Sequence, residues 1–262
     1  MIIVYSSQDP AGSNIASELM QMGFKETKER FEDYPVYSYK THKLFRTQSP
    51  IIQAEVKLKT DYVIFASKHK AVSGKPCLTV HPSGNFSRAE LGGKERELCL
   101  TSADLIKSLF LELVKEPPQG YDVSLEVTHH GPTSLLSPAA FIELGSGPEQ
   151  WKDTNASKYI AQCIINVLDK GLVQNKPAIG FGGGHYSPTF SRKLPSSPYS
   201  LSHICAEYNL GCLDKELVSE MIGKTKEKVH SALLDWKGMN AQEREKVSSI
   251  LSKTNLEIVK VK

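Results

Sequence analysis

The sequence predicts one α/β domain over residues 1–262, with a central, mostly parallel sheet covered on both faces by helices. Three observations predict it. Short β-branched and aromatic runs alternate with stretches whose apolar residues recur at helical spacing, the pattern of strands joined by helical crossovers. Two strand candidates are separated only by His129–Ala140, too short for a helical crossover, so part of the sheet is expected to be antiparallel. Hydrophobic residues at 40% and charged residues at 23% are ordinary globular values, and 262 residues suffice for a large core.

Taken along the chain, Ile2–Tyr5 reads as the first buried strand. Ile15, Leu19, Met20 and Met22 give an amphipathic helix after the polar loop Ser6–Asn14. Val36–Thr41, Tyr62–Ala66 and Cys77–His81 follow as strands. Thr101-Ser102-Ala103-Asp104 offers an N-cap and an early acid ahead of Leu105, Ile106, Leu109, Phe110 and Leu113. Asp122–Thr128 and Phe141–Leu144 are the next strands. Ile160, Cys163, Ile164, Val167 and Leu168 form a helix ending at Lys170-Gly171, a common C-cap signal. Ala178–Phe181 is a strand, helices are expected near Ser202–Tyr208, Lys215–Ile222 and Ala241–Leu251, and Leu256–Val261 closes the chain. There is no internal repeat, and the linker-like Pro195–Pro198 is too short to separate two domains.

A net charge of +3 excludes a uniformly basic, nucleic-acid-coating surface but allows a local basic face. The five cysteines form no C-x-x-C pair, and the seven-residue step from Cys205 to Cys212 fits no common zinc spacing. They are expected to be reduced, mostly buried thiols. No apolar run approaches the ~18 residues of a membrane span, and Met1–Tyr5 lacks the form of a signal peptide. A cytoplasmic protein with no membrane and no DNA partner is expected, and a monomer is the working assumption.

The chemistry is concentrated where apolar strands run into polar, glycine-containing turns, the ligand-binding end of open α/β sheets. Leu78-Thr79-Val80 leads into His81-Pro82-Ser83-Gly84-Asn85, and Val123–Thr128 leads into His129-His130-Gly131-Pro132. Phe141-Ile142-Glu143-Leu144 leads into Gly145-Ser146, and Ile179-Gly180-Phe181 leads into Gly182-Gly183-Gly184-His185-Tyr186. Glu126 and Glu143 sit among aliphatic neighbours, where a carboxylate is costly unless paired. Imidazoles and carboxylates gathered in one cleft form a donor set that suits zinc. There is no G-x-S-x-G elbow, no H-E-x-x-H helix and no P-loop, so an activated water is the more economical nucleophile. His69, between Lys68 and Lys70, reads as a solvated loop or phosphate contact, and His42, His203 and His230 as helical or basic surface positions without chemistry.

The combined strings His81-Pro82-Ser83-Gly84-Asn85, Glu126–Pro132, Ile142–Ser146 and Gly180–Tyr186 resemble D-aminoacyl-tRNA deacylases of the archaeal and plant type, over nearly the whole chain. The resemblance implies hydrolysis of the ester between a D-amino acid and the 3′-terminal adenosine of tRNA, zinc as cofactor, and a three-layer α/β/α sandwich related to nucleoside phosphorylases and peptidyl-tRNA hydrolases. Under that reading His129, His130, Glu143 and His185 are candidate metal ligands, and Glu126, His130 and His185 candidate catalytic groups. Gly182–Gly184 offer amides to an oxyanion, and His81, Ser83 and Asn85 are candidate substrate contacts. A metal-free route assisted by the tRNA 2′-hydroxyl stays open. Lys40, Lys43 and Arg46, interleaved with aromatics, and Lys68 and Lys70 are candidate contacts to the tRNA acceptor end. The alternatives are a zinc-dependent peptidase or amidase, which leaves the basic clusters idle, and a non-catalytic RNA-end-binding protein, which leaves Glu126 and Glu143 without a purpose.

Overall fold

A computed structural model describes residues 1–54, 56, 57 and 59–261. The chain runs β1 (Ile2–Ser6), α1 (Pro10–Gln21), β2 (Lys25–Phe31), β3 (Tyr34–Tyr39), β4 (His42–Thr47), β5 (Val63–Lys68), β6 (Cys77–His81), α2 (Ala103–Leu113), β7 (Asp122–Leu125) and β8 (Ala139–Gly145). It continues through α3 (Pro148–Trp151), α4 (Thr154–Lys170), β9 (Lys176–Phe181), α5 (Pro188–Lys193), β10 (Tyr199–Cys205), α6 (Lys215–Gly223), β11 (Ser231–Asp235), α7 (Ala241–Leu251) and β12 (Glu257–Val261).

Eight strands form the larger sheet in the order β2-β3-β4-β1-β5-β8-β6-β7. Its centre is parallel, and it turns antiparallel at β2-β3-β4 and between β8 and β6. The mixed, mostly parallel sheet flanked by helices is the α/β architecture the sequence predicts. A second, all-parallel sheet, β10-β9-β11-β12, was not anticipated.

The helices start where the sequence offers caps. The Asp9 carboxylate accepts from Gly12 N–H at 2.8 Å, with Pro10 in the first turn of α1. Gly12 is required there, because a Cβ would lie 2.4 Å from the Ala66 carbonyl oxygen; its absence lets α1 lie against β5. Ser102 caps α2 and Asp153 caps α4, and α4 stops at Gly171 with φ 77°. Ile3, Ile64, Ala66, Leu78, Ile142 and Leu144 pack with the apolar stripes of α1, α2 and α4 in one core. The opposite face carries Val4, Phe65 and Phe141, covered by loop residues such as Ile51 and Leu135. The outer face of the second sheet packs through Ile179, Phe181 and Leu234 on Leu217, Val218 and Val247 of α6 and α7. Among the described residues, no helix is long and apolar enough to cross a membrane.

Several expected elements differ. The Val36–Thr41 strand is β3 plus a turn in which Lys40 takes φ 53°, returning the chain as β4. The expected helix Ser202–Tyr208 is instead β10, whose buried Ser200, Ser202 and His203 find partners in Asp104, the Ala178 carbonyl and Thr128. His203 is therefore wholly buried rather than superficial. All five cysteines are free and four are buried, as expected.

Candidate functional site

β6 and β7 run against β5 and β8, so the polar turns do not gather beyond one row of strand ends; their side chains meet on the loop-covered face of the larger sheet. Cross-strand register places Ser67 beside Glu143 and Phe141 beside His81 on that face. Side chains alternate along a strand, so Phe141 and Glu143 project together. The Phe141 ring stacks on Phe65 at 4.7 Å and on the His81 imidazole at 5.1 Å, giving the polar cluster a rigid apolar floor.

Beyond β7 the chain leaves the sheet by stages. Glu126 N–H still donates to Val80 of the larger sheet, Val127 N–H donates to His185, and Thr128 N–H donates to Ile204 of the second sheet. Residues 126–130 thus thread between the two sheets. This is why the expected strand Asp122–Thr128 stops at Leu125. His130 ends the passage with φ 46°, a left-handed conformation that costs a non-glycine residue about 1 kcal/mol or more and recurs at functional sites.

Two carboxylates and five imidazoles meet here. Glu143 accepts from Ser67 Oγ at 2.8 Å and lies 3.4 Å from His69 Nδ1 and 3.6 Å from His81 Nε2. Glu126, wholly buried, has Oε1 at 3.1 Å from His185 Nε2 and 3.2 Å from His69 Nδ1, and Oε2 at 3.7 Å from His81 Nε2. The N–H directions miss, so among the described residues neither Glu126 oxygen receives a hydrogen bond, and His81 Nε2 has no partner either. Buried carboxylates are almost always hydrogen-bonded, so an orphan of this kind leaves acceptor positions open to a water or an ion.

The imidazoles divide into two electrostatic classes. Burial pushes the His69 pKa down, but hydrogen bonds to Cys77 and Glu143 and the charges of Glu126 and Glu143 outweigh it and raise it to about 12. His81 moves upward for like reasons, against complete burial, chiefly through Glu143. Burial followed by the neighbouring imidazoles lowers His129 well below its usual range, and burial and His81 lower His130 to about 4. Burial works against the Glu143 carboxylate, but His69 and His81 hold it well below the normal range. His69 is therefore cationic and His129 and His130 neutral at pH 7, while Glu143 favours the protonated form of His81. The neutral pair donate through Nδ1 to the Val127 and Gly131 carbonyls at 2.9 and 2.6 Å, which leaves each Nε2 as a lone-pair donor. The same backbone anchoring of the second ring nitrogen is usual for histidines that bind metal.

Donor atoms of Glu126, His129 and His185, of His81, His129 and His130, and of His69, Glu126 and Glu143 each lie within 4.8 Å of one another. The donor chemistry and the orphaned Glu126 oxygens fit a divalent cation. Two cavities open on this cluster, and His129 and His130 line both. One, of about 370 Å³, is lined by Asn85, Phe86, Arg88, Tyr208 and Asn209. The other, of about 400 Å³, is lined by Asp9, Pro50, Ile51, Ile52, Lys70 and Glu143.

A family model for D-aminoacyl-tRNA deacylases matches residues 56–259. The chain belongs to the D-aminoacyl-tRNA deacylase family. It is 33% identical to the D-aminoacyl-tRNA deacylase of Thermococcus onnurineus, over 99% of both chains. It is 31% identical to that of Pyrococcus abyssi, again over 99% of both. The crystal structure of a conserved protein of unknown function superposes with a TM-score of 0.90 at 26% identity, covering 99% of this chain and 94% of the other.

In this deacylase-family chain the fold brings Glu126, His130, His185, His129, Glu143 and His81 into one cluster. The proposed ligands His129, His130, Glu143 and His185 do not form a single group: Glu143 lies with His69 and Glu126. Gly182 and Gly183 donate their N–H groups to Cys205 and Gly238, so those amides are spent rather than presented to an oxyanion. Their glycine character answers positive φ and close approach to Met239 and Asp235. Ser83 Oγ donates to the Pro132 carbonyl and Asn85 Nδ2 to Gly92 and Lys94, holding the loops around the cluster. Lys68 and Lys70 line the second cavity. Lys40 and Lys43 sit at the amino end of β4, paired with Asp169 and Glu29, and Arg46 covers the Tyr34 ring.

His69 is the main residue the sequence reading missed. It is 5% exposed, contacts both carboxylates, and its Nε2 lies 2.9 Å from the Tyr186 hydroxyl. Its two lysine neighbours masked a period-two signal, Phe65-Ser67-His69, that points it to the Glu143 face.

Proposed function

We propose that this chain hydrolyses the ester of D-aminoacyl-tRNA, freeing the D-amino acid and the tRNA in the cytoplasm. The observation that carries it is the orphaned Glu126 carboxylate amid imidazoles of opposite charge state, in a member of the deacylase family. Ester hydrolysis needs a base for water, a positive field for the tetrahedral oxyanion, and a proton for the departing 3′-oxygen.

Each requirement has a residue. The free Nε2 of His130 takes the proton of an attacking water, since burial keeps that imidazole neutral at pH 7. His81, whose protonated form Glu143 favours and whose Nε2 is unpartnered, offers its N–H to the oxyanion and then a proton to the leaving oxygen. His185, the most exposed of the cluster, is held between Glu126 at 3.1 Å and the Tyr208 hydroxyl at 3.1 Å and orients the incoming ester. Zinc held by Glu126, His129 and His185 would lower the pKa of a bound water to ~7 and polarise the carbonyl.

Release of D-amino acids from tRNA, measured against the L-enantiomers, tests the proposal. Strong preference for D is expected, and equal rates would overturn it. Measured zinc content with unimpaired turnover after complete metal removal would reject the zinc assignment alone.

A further inference from the structure

We propose that the two cavities divide the substrate between them. The cavity of Arg88, Tyr208 and Asn209 receives the terminal adenosine, and the cavity of Pro50, Ile51 and Ile52 receives the amino-acid side chain. The ester then lies across the shared wall of His129 and His130. This assignment rests on the deacylase reading above.

The linings differ in the way the two halves of the substrate differ. A purine needs a π-face to stack on and polar groups at its edge. Tyr208 is 58% exposed, an unusual state for a large aromatic side chain, and its ring stands at the cavity mouth. Its hydroxyl lies 3.1 Å from His185 Nδ1, which fixes the ring beside the reacting group. The exposed Arg88 guanidinium and the Asn209 amide complete a site for a stacked base and its phosphate.

Among the described residues, the second cavity has no exposed Phe, Tyr or Trp in its lining. It is walled by Pro50, Ile51 and Ile52, with Leu91 between the two cavities. Such a surface suits an apolar side chain. Lys70 stands on this lining too, and a phosphate there would place adenosine on this side instead, so the experiment must separate the two orientations.

Ile52→Ala and Tyr208→Leu serve as probes, with Tyr208→Phe keeping the ring and losing only the hydroxyl. Two quantities are read at fixed salt: the ratio of kcat/KM for D-tyrosyl-tRNA over D-alanyl-tRNA, and the Kd of adenosine 5′-monophosphate. Ile52→Ala is expected to raise the ratio about 5-fold or more, because space is opened for the larger side chain, and to leave the Kd unchanged. Tyr208→Leu is expected to weaken the nucleotide about 10-fold or more and leave the ratio unchanged, while Tyr208→Phe keeps nucleotide affinity. The reverse pattern, or no response in either quantity, overturns the assignment. Wild-type protein that binds the nucleotide through Tyr208 yet releases no D-amino acid would sink the deacylase reading while sparing the adenosine site.

Discussion

Replacing Glu126 by Gln removes one charge from the centre of the cluster while keeping its shape. His69 Nδ1 lies 3.2 Å from Glu126 Oε1. At an effective dielectric constant of about 20, a unit charge at that distance is worth 332/(20 × 3.2), about 5 kcal/mol, or close to four pKa units. The His69 imidazole, raised to about 12 in the native cluster by hydrogen bonds to Cys77 and Glu143 and then by the charges of Glu126 and Glu143, should therefore fall in Glu126→Gln by up to that amount. At that limit its proton leaves in the range where turnover is measured, and the charge lost from the carboxylate is partly compensated by the charge lost from the imidazole. The fold should persist for that reason. Turnover should drop about 10- to 100-fold, the range for loss of a group that orients or holds a metal-binding histidine cluster. The assay is an NMR titration of the His69 ring between pH 6 and 10 alongside deacylation kinetics. The wild-type ring should hold its proton below pH 10, and the variant should titrate inside the window. A ring that titrates identically in both proteins, with turnover within threefold, would refute the charge arrangement described here.

Three further outcomes are expected. His130→Ala and His185→Ala should each abolish deacylation, and melting curves should show only modest destabilisation; full activity in both would mean the chemistry lies in other loops. Neutralising Lys70 and Arg88, at the cavity linings, should reduce the slope of log affinity for tRNA against log salt by about 1.4 to 1.8 in total, while Lys40→Ala with Lys43→Ala should change it little. Equal slopes across the set would place the tRNA backbone elsewhere. His203 is wholly buried, and burial lowers its pKa to about 3. A depressed histidine binds its proton more readily unfolded, so its contribution is complete above the unfolded value of 6.5 and is lost as pH falls from there toward 3. The stability gap between wild type and His203→Asn should thus narrow by roughly 2 kcal/mol from pH 7 to pH 5, at about 1.4 kcal/mol per pH unit. Parallel stability curves from denaturant titrations would exclude it.

Much of the fold was legible because strands β1, β5, β6, β8 and β9 are largely buried and read as short, mainly apolar runs. β2, Lys-Glu-Thr-Lys-Glu-Arg-Phe, gives no such signal, since an edge strand with charged side chains resists pairing with other molecules and looks like a loop. β10 was mistaken for a helix because a register shift between Leu201 and Ile204 breaks its alternation and its inward polar groups look solvated. In the site, the gathering of strand-end imidazoles and the two carboxylates in one cluster followed from strand-end position. The role of His69 did not, because the two sheet-crossing contacts that bury it join residues 57 and 74 positions away. Likewise, nothing local distinguishes a glycine amide facing a ligand from one already bonded to a neighbouring strand, as at Gly182 and Gly183.

The passage of residues 126–130 between the sheets has a mechanical consequence. The segment is both the seam that joins two hydrogen-bonded frameworks and the carrier of Glu126, His129 and His130. A fluctuation that parts the sheets at this seam leaves Glu126 tied to Val80 of the larger sheet and draws it from His185, beyond β9, before either sheet need lose a strand. Catalytic competence is thus tied to the integrity of one short joint, and the molecule has no way to loosen there and remain armed.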